Sequence, residues 1–300
     1  MAAMTALLLL FSAAACANRP VEDVSSGFET AAEAGAPAAV PQAESGPLED
    51  ALNSYAAASG TEFSAAVYDR TTGASWYYNR QASYLEASLV KVPILLTLLR
   101  QATEEERQLT PEEEDLCVMM IDYSDNDATT ALYQSVGGAG ELARTYELLG
   151  ITDTSAGEVW GANETGVEDQ LRIARAVLDG VDWISRDLRG YAVGLMENVE
   201  DSQRWGINAG FSDGEADIAL KNGWLQDDER AWNVGSTGFV RAGGSEYAVV
   251  VMTSGSPTME EGVSVVEDIA AAINSFETSG IIGTAADTGN SGIPGAGAAD

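Results

Sequence analysis

A chain of 300 residues, 45% hydrophobic and 21% charged, can build one large core or two small ones. Its 47 acidic against 15 basic residues give a formal charge of −32, which repels nucleic acid and anionic membrane surfaces, excludes nucleic acid as a partner and leaves the membrane only through an N-terminal lipid. Histidine is absent, so a Ser-His-Asp triad, a His-ligated zinc and an imidazole base are excluded too, and no metal or other cofactor is expected. All but two of the fifteen cationic side chains are Arg. Two readings of this acidic, lysine-poor composition stay open: a surface suited to high external salt, or a genome rich in Arg and Ala codons.

In chain order, the apolar run Leu7 to Phe11 followed by small residues up to Cys16 reads as an export signal over residues 1–16. Ala13-Ala14-Ala15-Cys16 resembles a bacterial lipobox, in which the cysteine is lipidated and holds the protein at the outer face of the cell membrane. Ordinary cleavage near Cys16 is the alternative. Residues 17–46, rich in Ala, Glu, Pro and Ser, bury too little to fold and read as a linker. Residues 279–300, rich in Gly, Ala and Ser, read as a tail. The folded unit is then 47–278, expected to be monomeric.

Within it, a helix is predicted around Leu48 to Ser59, then a hairpin of Phe63 to Tyr68 and Ala74 to Tyr78 about Thr71-Thr72-Gly73. Ser88 to Gln101 is helical and almost wholly apolar after Lys91, hence buried on every side. Helices follow over Pro111 to Asp122, Asp127 to Ser135, Ala139 to Leu149, Val167 to Leu178 and Ile184 to Asn198. Cys117 sits in an apolar stretch of the first of these and reads as a buried free thiol. Strands return at Ala216 to Leu220, Ala231 to Val240 and Tyr247 to Thr253, the last two joined at Ala242-Gly243-Gly244, and a helix over Met259 to Phe276 closes the unit. Strands at both ends with helices between imply an α/β (α+β) fold: one antiparallel sheet flanked by helices, with an inserted all-helical subdomain and a cleft between the two parts.

Both lysines lie in short motifs. Ser88 and Lys91 are three apart at a helix start, so Oγ and Nζ share a face as a nucleophile and its base. The base must be neutral to accept a proton, and burial together with the second cation, Lys221, would lower its pKa. Ser124-Asp125-Asn126 reads as a loop and helix cap in which Ser124 can carry a proton and Asn126 can bind a substrate amide. Lys221-Asn222-Gly223 reads as the end of a strand, where Gly223 admits a close substrate backbone and Lys221 supplies positive potential for a substrate carboxylate. Arg204 is a second candidate for that carboxylate or, equally, an ordinary surface arginine. Trp160, Trp224 and Trp232 are candidates for the cleft lining, with core packing the default for such large aromatics.

Together and in this order, Ser-x-x-Lys, Ser-Asp-Asn and Lys-x-Gly resemble the signature set of penicillin-recognising serine enzymes, the class A β-lactamase and penicillin-binding protein group, over about residues 47 to 277. Glu86-Ala87-Ser88-Leu89-Val90-Lys91-Val92 is similar to that family's nucleophile segment. The resemblance implies a β-lactamase/transpeptidase-like fold and a β-lactam or peptidoglycan-peptide substrate. It implies Ser88 as the acylated nucleophile, Lys91 as base, Ser124 as proton relay, Asn126 as amide binder and Lys221 as electrostatic anchor, with the N–H groups of Ser88 and Trp224 as an oxyanion hole. Asn222 stands where the family usually has a hydroxyl that contacts the substrate carboxylate, and its amide is expected to take that contact. The family's deacylating Glu, in a Glu-x-x-Leu-Asn loop, has no matching string. Glu158 and Glu164 lie nearest to the corresponding place, as candidate bases or as surface charges. Three outcomes stay open: a β-lactamase, a D-alanyl-D-alanine peptidase, or a binding protein that does not turn over.

Overall fold

Five strands form an antiparallel sheet in which the two ends of the folded unit meet. In the computed structural model, which describes residues 46–279, the strands β1 (Phe63–Asp69), β2 (Ser75–Tyr78), β5 (Ala216–Gln226), β6 (Trp232–Ala242) and β7 (Ser245–Ser256) take the order β2-β1-β7-β6-β5. β1 lies against β7 with Phe63 opposite Thr253 and Asp69 opposite Tyr247. The export signal with Cys16, most of the linker and nearly all of the tail lie outside the described residues.

The central strand explains the layering. In β7, Tyr247, Val249 and Val251 pack on one side of the sheet with α1 (Gly46–Ser59) and α8 (Met259–Ser279). Ala248, Val250 and Met252 pack on the other, against the helical part. With both faces covered, the strand is an unbroken apolar run, because period-2 alternation then separates two cores instead of core from solvent. The second layer holds α2 (Lys91–Glu104), α3 (Pro111–Ile121), α4 (Asn126–Ser135), α5 (Gly138–Leu149), α6 (Val167–Asp179) and α7 (Arg186–Glu197).

α2 is the hub of that layer. Eleven of its fourteen residues are buried, including Lys91 and Arg100. Arg100 is neutralised by Glu104, at 3.1 Å, and by Glu141 of α5. α3 begins on a capping box in which Thr110 and Glu113 exchange bonds, with Pro111 in the first turn. Cys117 is a buried free cysteine, its thiol pushed up to about 12 by burial.

Three local differences from the sequence-based expectations matter for the site. Ser88 to Val90 belong to a 3-10 turn, Ala87–Val90, and the α-helix begins only at Lys91. β5 runs through Lys221-Asn222-Gly223 to Gln226 instead of ending there. Two short strands, β3 (Tyr84–Leu85) and β4 (Glu164–Thr165), pair Tyr84 with Thr165 and Leu85 with Glu164, and join the segment before Ser88 to the loop before α6.

Since α2 is packed from all sides, truncating it leaves a cavity that neighbours cannot fill. Leu99→Ala, at a fully buried position, is expected to lower stability by about 2–5 kcal/mol. Urea denaturation should show this as a lower midpoint at an unchanged slope.

Candidate active site

Alternation along β5 sets the directions of the third motif. Leu220 and Ile218 belong to the core on the α8 side and Ala219 to the core on the helical side. Lys221 and Gly223 therefore face the helical part while Asn222 faces away from it. Lys221 Nζ donates to Ser124 Oγ at 2.9 Å and to the Asn222 carbonyl at 2.9 Å. A Cβ on Gly223 would stand 3.0 Å from the backbone nitrogens of both Ser88 and Leu89, so glycine here lets the strand lie directly on the 3-10 turn.

Lys91 reaches the same hydroxyl from the start of α2. Its ammonium donates to Ser124 Oγ at 3.0 Å, to the Ser124 carbonyl at 2.6 Å and to Asn126 Oδ1 at 2.9 Å. These acceptors are presented by the start of α4, where the Asp125 side chain caps Ala128 N at 2.7 Å and Asn126 becomes the first helical residue. Ser124 itself is left-handed at φ 57°, as is Ala87 at φ 49° beside Ser88. Non-glycine residues hold such angles only where their surroundings impose them.

Both amines are depressed. Burial brings Lys91 down to about 8, against the pull of the Asp125 carboxylate. Burial, and then the charge of Lys91, holds Lys221 well below the ordinary lysine range. Two ammonium groups bound to one oxygen repel each other across a poorly solvated gap, so the pair sheds a proton far more readily than two surface lysines would. The charged Lys91 uses all three hydrogens on Ser124 and Asn126, and none is donated to Ser88. The Ser88–Lys91 hydrogen bond expected from the spacing is thus not formed while the amine is charged, its three hydrogens being committed to Ser124 and Asn126.

Above the lysine lies a tryptophan. Lys91 Nζ sits 5.4 Å from the centre of the Trp160 ring, and Trp160 Nε1 donates to Thr130 Oγ1 at 3.2 Å. The loop carrying Trp160 is stitched to the turn that bears Ser88: Ala87 N donates to the Gly161 carbonyl at 2.9 Å and Glu86 N to the Asn163 carbonyl at 2.8 Å. Its other end is held by buried Asp169, which accepts from Thr152 N at 3.3 Å and from Asp153 N and Thr154 N at 2.8 Å each.

Several candidates point elsewhere. The two amide hydrogens of Asn222 go to the carbonyls of Gln203, at 2.7 Å, and Trp205, at 2.9 Å. It is therefore a clamp on the 203–206 loop and has no donor left for a substrate carboxylate. Arg204 is exposed and donates to the Glu197 carbonyl at the end of α7. Trp224 packs against Trp205, ring centres 5.9 Å apart, and Trp232 packs with the α8-side core. Glu158 is exposed. Glu164 is exposed as well, accepts from Ser83 at 3.2 Å, and lines a cavity of about 610 Å³ shared with Leu225, Asp227, Asp228 and Glu229. Neither carboxylate bonds to Ser88 or Lys91.

One residue escaped sequence reading. Glu86, two positions before Ser88, is fully buried and accepts on Oε1 from Tyr146 Oη at 3.0 Å and Gln170 Nε2 at 3.2 Å. Burial pushes its carboxyl up to about 8, against those two hydrogen bonds.

The clamp reading of Asn222 has a direct test. Asn222→Ala should leave the Trp205 carbonyl without its donor and the Gln203 carbonyl with the Trp205 N–H alone, and cost about 1–3 kcal/mol. Urea denaturation would measure that loss, and limited proteolysis should show the first new cut between residues 203 and 206.

This geometry is matched by known folds. The chain resembles PBP-A, with a TM-score of 0.68 at 20% identity, over 80% of this chain and 99% of that one. It resembles the TLA-3 extended-spectrum β-lactamase, with 0.69 at 14% identity, over 78% and 99%. A β-lactamase from Sphaerobacter thermophilus superposes with 0.66 at 20% identity, over 80% and 99%. In sequence it is 28% identical over 218 residues, 68% of each chain, to the Mycobacterium bovis protein named "Putative lipoprotein LppW". The family model described as "Beta-lactamase enzyme family" matches residues 47–114 and 107–276, nearly the whole folded unit. With this fold and that match, the chain belongs to the β-lactamase enzyme family.

Proposed function

We propose that the protein is an exported serine hydrolase that opens β-lactams by acylating Ser88. The observation that carries this reading is the convergence of Lys91 and Lys221 on Ser124 Oγ, beside a turn where Gly223 meets the Ser88 backbone. In the neutral form, Lys91 Nζ has a lone pair and takes the Ser88 hydroxyl proton as Oγ attacks the lactam carbonyl. Negative charge on that carbonyl oxygen is met by the N–H groups of Ser88 and Trp224, each such donor being worth about 10²–10³ in rate. The proton then passes through Ser124 to the departing nitrogen, whose C–N bond breaks as the acyl-enzyme forms. Asn126 receives the side-chain amide of the substrate, and Lys221 supplies the positive potential that draws its carboxylate into an otherwise acidic molecule.

The second half-reaction is expected to be slow. Deacylation needs a base beside the ester, while Glu158 and Glu164 lie at the surface and the indole of Trp160 covers Lys91. This favours a long-lived acyl-enzyme, as in a penicillin-binding peptidase, over rapid turnover. A PBP-A variant is itself known as an acyl-enzyme complex with penicillin G. Export over residues 1–16, lipidation at Cys16 and a tether to residue 46 complete the reading, and a relative named as a putative lipoprotein supports it.

Intact mass of residues 47–280 mixed with benzylpenicillin should show one adduct that clears slowly. Ser88→Ala is expected to abolish it and Lys91→Ala to slow it by orders of magnitude; normal labelling of either variant rules out the assignment. The wild-type labelling rate should climb with pH up to about 8, the value set by the buried Lys91, since only its neutral form accepts a proton.

A further inference from the structure

Glu86 has no part in the acyl transfer described above, yet it sits directly behind it. Its backbone N–H and that of Ala87 tie the turn to the 161–163 loop, while its side chain reaches the opposite way, to Tyr146 of α5 and Gln170 of α6. Ala87 is held left-handed between these two sets of bonds. Two acceptors in this interior have no donor: Glu86 Oε2 and Gln170 Oε1. They are the second oxygens of two groups already joined by Gln170 Nε2 and Glu86 Oε1 at 3.2 Å.

We propose that Glu86 is a positioning residue for Ser88, paired with Gln170 as an acid–amide couple that locks the turn presenting the hydroxyl. The proposal rests on the reading of Ser88 as nucleophile. One proton on Oε2 supplies the donor that Gln170 Oε1 lacks, and the couple then closes through two hydrogen bonds, leaving neither acceptor orphaned. Without that proton, a carboxylate is left among groups that offer it no positive charge: Tyr133 of α4, Tyr146 of α5, and Asp169 and Gln170 of α6. The neutral form is the one the surroundings favour, with its midpoint at about 8. Ionisation draws water or an outward rotation of the side chain, and either releases the turn.

The test compares wild type, Glu86→Gln and Glu86→Ala by the rate of Ser88 adduct formation with benzylpenicillin from pH 6 to 10, with melting curves across the same range and down to pH 4.5. Gln reproduces the protonated acid: its NH₂ gives Gln170 Oε1 a donor and its carbonyl keeps the Tyr146 and Gln170 bonds. Wild type should rise to a maximum near pH 8 and then fall, while Glu86→Gln rises to a plateau. The two should agree within about threefold at pH 7 and differ by about tenfold at pH 9, one unit past the midpoint. Glu86→Ala should be slower throughout.

Because the folded-state pKa is raised, wild type keeps its full stability below the unfolded value of 4.5 and loses it as pH climbs through about 8. The melting advantage of Glu86→Gln should therefore widen between those pH values and then level off. A falling limb shared by wild type and Glu86→Gln, or a Glu86→Gln rate more than tenfold low at pH 7, overturns the positioning role while Ser88 labelling stands. No adduct in wild type at any pH overturns the parent reading and this one with it.

Discussion

Two buried amines share one hydroxyl, and the rest of the site is arranged around that contact. Ser124 Oγ is bound by Lys91 from α2 and by Lys221 from β5, at 3.0 and 2.9 Å, so a single oxygen joins the helical layer to the sheet. Neither amine has an acidic partner in direct contact. Their mutual repulsion is balanced by neutral dipoles: the Ser124 and Asn222 carbonyls and the Asn126 amide oxygen. A carboxylate in the same place would hold both lysines charged and leave no base. In a molecule with so many acidic residues, keeping carboxylates out of this contact is as much a part of the site as the lysines are.

The strain on either side of the contact has identifiable support. Ser124 is forced left-handed between the end of α3 and the capped start of α4, and Ala87 between β3 and α2. The 152–163 loop holds the second of these places, through backbone bonds to Glu86 and Ala87 at one end and the Asp169 anchor at the other. Local strain of roughly 1–3 kcal/mol per residue is stable only under such over-determination.

What could be read from the chain, and what could not, follows from the range of each signal. Helices and hairpins have periods, and the expected elements from Leu48 to Phe276 agree with the structure to within a few residues. β5 is the exception: its apolar pattern runs out at Leu220 and the motif Lys221-Asn222-Gly223 reads as its end, whereas cross-strand pairing carries it on to Gln226. Carried through the motif, alternation would have turned Asn222 away from Lys221 without any coordinates. β3 and β4 are two residues each and have no period to detect. Glu86 was hidden by the acidic composition itself, since a Glu in such a chain is ordinarily at the surface. Only three-dimensional packing from α5 and α6 marks it as an interior group.

The scarcity of lysine has a practical side. With Lys91 at 0% and Lys221 at 1% exposure, no lysine amine is offered to solvent. Reagents that modify amines, whether sugars, active esters or cross-linkers, meet no exposed lysine side chain to attack. Any lysine modification then becomes a record of how often the two layers part, a built-in probe of breathing at the place where the chemistry is expected.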